Sequence, residues 1–334
     1  MGTKTDNTTT ATSSNNKKSL AASFIPVERA TDAKQFQILI QKEPKRPVIY
    51  QLKARERFRA HSKWNSSFFA KRSGTVHIHT SKHSSEFFNI TQDSIWQLAN
   101  VFVKTPMAWP EFMDQITRQK QHMIVSGTDT HMLMEDGTVV EPWKDCLEDV
   151  RPGLDDFVPG TTHSDTMDRI GIWVSGPNIS SQTHWDINGD SNLNFQIRGS
   201  KRFLLWEPMD GQEHLYPLPF RFWNISRIPD PYHVDLKQYP LYRHAKPFFV
   251  EMNEGDVLYI PPRWWHHVTH CGNFNVNVTA WYQSQYHKRR PHPIKSFCVP
   301  RAVQGLIFLV KIVCVVIVTL FLMIWRKLGG IVNF

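Results

Sequence analysis

From Arg169 to Tyr282 the chain is a succession of short branched or aromatic runs separated by Gly, Pro and Asn, and this succession constrains the fold more than any other feature. The runs are Arg169–Ser175, Leu193–Ile197, Arg202–Trp206, Phe248–Met252, Asp256–Ile260 and Phe274–Tyr282. Each has strand length, is rich in side chains whose bulk at Cβ suits an extended backbone, and is bounded by residues that turn the chain. Strands in close succession predict an all-β sandwich or barrel. Ahead of them, Phe24 to Phe157 is mixed. Ala33–Gln41, Ser94–Val103 and Trp109–Gln119 predict helices, and Pro47–Tyr50 and Thr75–His79 predict strands. Trp206 to Pro247, rich in Pro and Tyr, shows no period and predicts a long insertion of the kind that faces a substrate.

Two short motifs inside the β-rich part carry chemistry. In His184-Trp185-Asp186 the outer residues lie two apart, so on an extended segment both point to one face while Trp185 points away. Asp256–Ile260 and the rigid Pro261-Pro262 turn then deliver Trp264-Trp265-His266-His267. Adjacent histidines on a strand point to opposite faces, so one of His266 and His267 joins the first pair, and the pattern leaves open which. Two histidines and one carboxylate make the facial triad that holds Fe(II) on one side and leaves the other positions open.

The run THWDINGDSNLNFQIRGSKRFLLWEP, followed by EMNEGDVLYIPPRWWHHV and FNVNVTAWY, resembles the JmjC (cupin-8) family of Fe(II)- and 2-oxoglutarate-dependent oxygenases. In style it is nearest to the JmjC-only hydroxylases of the asparaginyl hydroxylase type, the factor inhibiting HIF. The resemblance covers roughly Arg46 to Tyr286 and is strong from Arg169. It implies a mainly β fold, a double-stranded β-helix (jelly-roll, cupin) with an N-terminal α/β extension. It also implies that His184 and Asp186 are the first two iron ligands and His266 the third, His267 being a wall residue. Lys201 matches the lysine that pairs with the distal carboxylate of 2-oxoglutarate, and Ser181 and Asn192 fall where further cosubstrate contacts are expected. Thr279, which shares a strand face with Asn275, Asn277 and Trp281, stands where that hydroxylase has an asparagine. The implied cosubstrates are 2-oxoglutarate and O2. This chain has two extra residues between Asp186 and Lys201, near Asn188-Gly189-Asp190, which widen a loop beside the metal. His77, His79, His163, His233 and His270 are expected to be ordinary surface or core residues.

The net charge of +9 belongs mostly to one end. From His287 to Phe334 there are eight Lys/Arg and no Asp or Glu, so the rest is near neutral and offers no basic groove for nucleic acid. Within that end, Gly305 to Trp325 is apolar all round, with Lys311 its one charge. At 1.5 Å per residue, about 20 such residues cross a bilayer core of about 30 Å, which predicts a C-terminal transmembrane helix. Five Lys/Arg just before it and two just after predict a tail-anchored chain with its catalytic part in the cytosol, on the endoplasmic reticulum or the mitochondrial outer membrane. Six Asn-x-Ser/Thr sequons, including Asn224 and Asn277, leave a lumenal topology as the alternative. Four scattered cysteines form neither a disulfide framework nor a zinc site.

The expected organisation is a disordered arm (1–22), the α/β extension (23–157), the JmjC core (158–286), a basic juxtamembrane linker (287–304), the transmembrane helix (305–325) and a short tail (326–334). The expected activity is hydroxylation of a protein side chain. The alternatives are N-methyl-lysine demethylation, a tRNA-modifying hydroxylase, or a cupin scaffold without turnover. A protein substrate and a membrane are the expected partners, with a homodimer as a further one.

Overall fold

The computed structural model describes residues 24–282 except 81–104, 119–122, 127–131, 134–138, 141–143, 155–156, 158–168, 187–188 and 219–223. The expected arm, the helix at Ser94–Val103 and the apolar run 305–325 lie outside the described residues. Among the described residues no helix is long and apolar enough to cross a membrane.

The strands are β1 (Ile25–Pro26), β2 (Glu28–Ala30), β3 (Val48–Gln51), β4 (Thr75–Thr80), β5 (Thr105–Ala108), β6 (Met123–Ser126), β7 (Met132–Leu133), β8 (Val139–Val140), β9 (Arg169–Ser175), β10 (Ile179–Ser180), β11 (Ser191–Trp206), β12 (Phe248–Met252), β13 (Asp256–Ile260) and β14 (Trp265–Tyr282). The main sheet runs β2-β3-β13-β11-β14-β9-β6-β4-β5, with β12 added to β11, β1 to β12 and β10 to β14. β7 and β8 pair separately.

The long antiparallel ladder between β11 and β14 organises this sheet. Asn192–Phe195 of β11 lie between β13 and the end of β14, whereas Lys201–Leu205 lie between β12 and the start of β14. One strand pair thus serves two layers and turns from one to the other at register shifts between Gln196 and Ser200. The result is a mainly β, nearly closed, barrel-like sheet, as the jelly-roll expectation requires.

The sequence predicts separate strands at Leu193–Ile197 and Arg202–Trp206, but they are two halves of β11, and Phe274–Tyr282 extends back to Trp265 within β14. The bulge breaks the period-two pattern without ending the strand. Gly199 makes it possible. Its φ is +72°, and a Cβ there would drive into the Asn275 side chain and the Phe274 carbonyl. Asn275 Oδ1 accepts the Ser200 N–H at 3.0 Å and pins the bend.

The two sheet faces are buried differently. Leu193, Phe195, Ile197, Val276, Val278 and Ala280 point outward into one apolar cluster. Helices from the N-terminal extension cover that cluster. Ala33–Gln41 starts where Asp32 Oδ1 accepts the Gln35 N–H at 2.8 Å, and Phe36 and Ile40, one turn apart, are its buried residues. Trp109–Thr117 carries Pro110 in its first turn and buries Trp109, Phe112, Met113 and Ile116. On the inward side, Ile49, Leu258 and Ile260 of one layer meet Phe203, Leu205, Val250, Met252 and Val268 of the other in a second cluster. This cluster fills one part of the barrel. The rest is lined with polar groups, and the site lies there.

Candidate metal centre and its pocket

In an antiparallel ladder directly opposed residues share a face. Leu205 opposes His266, Phe203 opposes Val268 and Lys201 opposes His270, so His266, His270 and Lys201 share the inward face of Phe203, Leu205 and Val268. His267 faces the other way, where its Nδ1 meets Thr183 Oγ1 at 3.2 Å. Register thereby decides between the two histidines.

His184 is held beside His266 by a pair of backbone hydrogen bonds, His184 N–H to His266 O at 3.0 Å and His266 N–H to His184 O at 2.7 Å. The segment is not a regular strand, but its alternation is kept. Trp185 is buried on the far side and fixed by Asn224, whose backbone O accepts the Trp185 N–H at 3.0 Å. His184, Asp186 and His266 each offer one ligand atom, all within 4.8 Å of one another. The rings of His184 and His266 are 4.4 Å apart, and Asp186 Oδ1 lies 3.8 Å from His184 Nε2 and 4.0 Å from His266 Nε2.

The hydrogen bonds around the trio fix which atoms are free. His184 Nδ1 donates to Gln182 O at 2.7 Å and His266 Nδ1 to Trp264 O at 3.0 Å, so each proton sits on Nδ1 and each Nε2 lone pair turns inward. Asp186 Oδ2 accepts Asn192 Nδ2 at 3.0 Å and Trp281 Nε1 at 2.9 Å, which leaves Oδ1 for a ligand bond. Two imidazole nitrogens and one carboxylate oxygen, each backed by a second hydrogen bond, fit a divalent iron. Burial acts to raise the Asp186 pKa, but the two imidazoles and the bonds from Asn192 and Trp281 outweigh it and hold the carboxyl below its ordinary range. Burial, then His184, lowers the His266 pKa, which favours the neutral ligand form. His184 is 31 % exposed and His266 6 %, so the trio is approached from the His184 side.

Lys201 is 3 % exposed, and burial alone draws its pKa down to about 7. Among the described residues no acid offsets its charge. A cation in this state is stabilised by an anion that brings its own charge into the pocket.

Ser181, Asn192 and Thr279 each have protein partners. Ser181 Oγ accepts the Val268 N–H at 3.1 Å, against the strand that carries His266. Asn192 supports Asp186 with its amide N–H, and its Oδ1 accepts Asn194 Nδ2 at 2.6 Å. Thr279 continues the same buried row, donating toward Asn194 Oδ1 at 3.2 Å and Asn277 Oδ1 at 3.1 Å. Asn192 and Thr279 therefore belong to a polar ladder that starts at Asp186. Sequence reasoning missed the Trp281 contact to Asp186, and His270, expected to be an ordinary surface or core residue, is buried in the core.

Residues 34–288 match the cupin-like domain. The chain belongs to the cupin-like (JmjC) family. Members of this family are typically oxygenases that use Fe(II) and 2-oxoglutarate. HSPB1-associated protein 1 of Bos taurus is 31 % identical over 112 residues, which are 33 % of this chain and 23 % of that protein. Lysine-specific demethylase JMJ31 of Arabidopsis thaliana is 28 % identical over 148 residues, 42 % of this chain and 26 % of that protein. Human tRNA wybutosine-synthesizing protein 5 is 34 % identical over 110 residues, 33 % of this chain and 32 % of that protein. The matched part thus spans about a quarter to a third of these relatives.

Proposed function

We propose that the chain is an Fe(II)- and 2-oxoglutarate-dependent dioxygenase that hydroxylates a protein side chain. The observation that carries this reading is Lys201, buried without an acid on the same inward face as His266. A dicarboxylate that reaches the metal with one end meets this cation with the other. His184 Nε2, Asp186 Oδ1 and His266 Nε2 hold the iron. When bound, iron and 2-oxoglutarate together supply the oxidation of a C–H bond by O2. The chain's own contribution is positional. Nδ1 bonds to Gln182 and Trp264 carbonyls keep both imidazoles aimed inward, and Asn192 and Trp281 keep Asp186 on one oxygen. Burial of Lys201 makes its pocket selective for a ligand with a second negative charge.

A protein substrate agrees with the near-neutral charge ahead of the basic end, which gives nucleic acid little to hold. We further propose that 305–325 tethers the chain to a membrane with the catalytic part on the cytosolic side, on the strength of its sequence alone. Carbonate extraction and glycosidase treatment of the expressed chain test this: release by carbonate removes the tether, and a glycosidase shift reverses the side.

The full chain is expected to convert 2-oxoglutarate to succinate when supplied with Fe(II) and a peptide library, with a gain of about 16 Da on the modified peptide. Asp186→Ala is expected to lose bound iron. Unchanged iron in that variant defeats the ligand assignment, and no succinate above the peptide-free rate defeats the hydroxylase reading.

A further inference from the structure

The Lys201 end of the pocket holds a second buried group. Across the ladder from Lys201 stands His270 of β14, 4 % exposed and on the same inward face. On its far side, His270 Nδ1 meets Ser175 Oγ of β9 in a hydrogen bond, and Ser175 is wholly buried. Met252 of β12 flanks Lys201 on its other edge. Three strands therefore bring a cation, an imidazole and a hydroxyl together, with no acid among the described residues to neutralise them.

Burial, then the neighbouring Lys201 charge, holds the His270 pKa well below its ordinary value, so the ring is neutral. A neutral imidazole has one N–H. Of its two tautomers, the one in which Nδ1 accepts from the Ser175 hydroxyl carries that N–H on Nε2, where it can serve an anion beside Lys201. A carboxylate has two oxygens and about four acceptor sites, and one ammonium serves only part of them. In a dry pocket the unserved oxygen carries a desolvation cost unless a second donor stands beside the first.

We propose that His270, oriented by Ser175, is a second binding group for the distal carboxylate of the cosubstrate, acting beside Lys201. This rests on the reading of the site as a 2-oxoglutarate pocket. The alternative is a packing role, in which His270 and Ser175 fill the core between β9 and β14.

Calorimetric titration of the full chain, with Mn(II) in the metal site so that nothing turns over, separates the two. The ligands are 2-oxoglutarate and 2-oxobutanoate, which keeps the keto acid and lacks the distal carboxylate. His270→Ala is expected to weaken 2-oxoglutarate about tenfold to a hundredfold, the range for a lost hydrogen bond to a charged group, and to leave 2-oxobutanoate within about twofold. Ser175→Ala should give a smaller loss in the same sense, and His270→Gln, which restores a side-chain N–H, should recover part of it. Unchanged 2-oxoglutarate affinity in His270→Ala, or an equal loss for both ligands, overturns the proposal. If His270→Ala does not fold, Ser175→Ala and His270→Gln are judged by the same criteria. Lys201→Met distinguishes the two levels. If it too leaves 2-oxoglutarate binding unchanged, the pocket reading itself falls. If it abolishes binding while His270→Ala does not, only the role of His270 falls.

Discussion

Replacing Lys201 by Met should stabilise the fold, and by an amount that depends on pH. Methionine keeps nearly the same length and removes the charge. The lysine pKa falls from 10.5 to about 7 in the folded chain because of burial. Below pH 7 the folded and unfolded chains both hold the proton, and the cost of burying the charge is fully present. Between pH 7 and 10.5 the folded chain has shed the proton and the unfolded chain has not, so wild-type stability rises with pH. A tenfold change in proton affinity corresponds to about 1.4 kcal/mol, which sets a ceiling of about 5 kcal/mol. For a chain of this size that corresponds to a change on the order of 10 °C in Tm. Urea unfolding followed by tryptophan fluorescence at about pH 6.5, 8 and 9.5 gives the comparison directly. His270 loses the Lys201 charge in this variant, while burial, the larger cause of its lowered pKa, still opposes its protonation. We expect Lys201→Met to be more stable by several kcal/mol near pH 6.5, with the gap closing at about 1.4 kcal/mol per pH unit above about 7. Adding 2-oxoglutarate at the lowest pH should narrow the gap, because only the wild type gains the ion pair. A gap that does not change with pH, or a variant less stable throughout, refutes the view of Lys201 as an uncompensated buried cation.

Two further outcomes follow from contacts around the metal centre. Trp281→Phe and Asn192→Ala each remove one of the two hydrogen bonds to Asp186 Oδ2, and each should weaken iron binding about 10- to 100-fold without loss of fold, as read by metal titration and far-UV circular dichroism. Gly211→Ala would push a methyl group into the indole of Trp265, next to His266, and should lower stability by about 1–3 kcal/mol; a Tm equal to wild type would show that the helix Pro208–His214 shifts at no cost.

How much of this was legible in the sequence differs from residue to residue. His184 and Asp186 announce themselves by spacing, because alternation survives even where their segment forms only an isolated bridge. His266 and His267 are adjacent and chemically alike, and only the pairing of His266 with Leu205 shows which one faces inward. Lys201 stands in Arg198-Gly199-Ser200-Lys201, a composition equally suited to a turn, and its burial depends on a bulge that local pattern does not reveal. Asn192 was expected at a polar contact of the cosubstrate or substrate; its bond to Asp186 was not readable, because the chain between them is a loop. The Trp281 contact joins residues 95 apart in the chain, a distance over which no periodicity speaks. The nearly closed sheet was legible as a class from the strand runs and the resemblance, whereas the continuity of β11 and β14 was not.

That continuity has a consequence for how the site comes into being. The β11–β14 ladder runs from Trp206 opposite Trp265 to Ser191 opposite Tyr282, so its shortest chain closure lies at the insertion end and its longest at the other. Closure entropy rises only with the logarithm of loop length, so once the first pair meets, each next pair adds little cost and the ladder can zip in one direction. Zipping in that direction would place His266 early, then Lys201 and His270, then the Gly199 bulge, and Trp281 near the end. On that route His266 would be in place before Trp281 locks the carboxylate on one oxygen. Tight metal retention would then be a property of the completed ladder, and a chain truncated before Trp281 is expected to hold iron loosely.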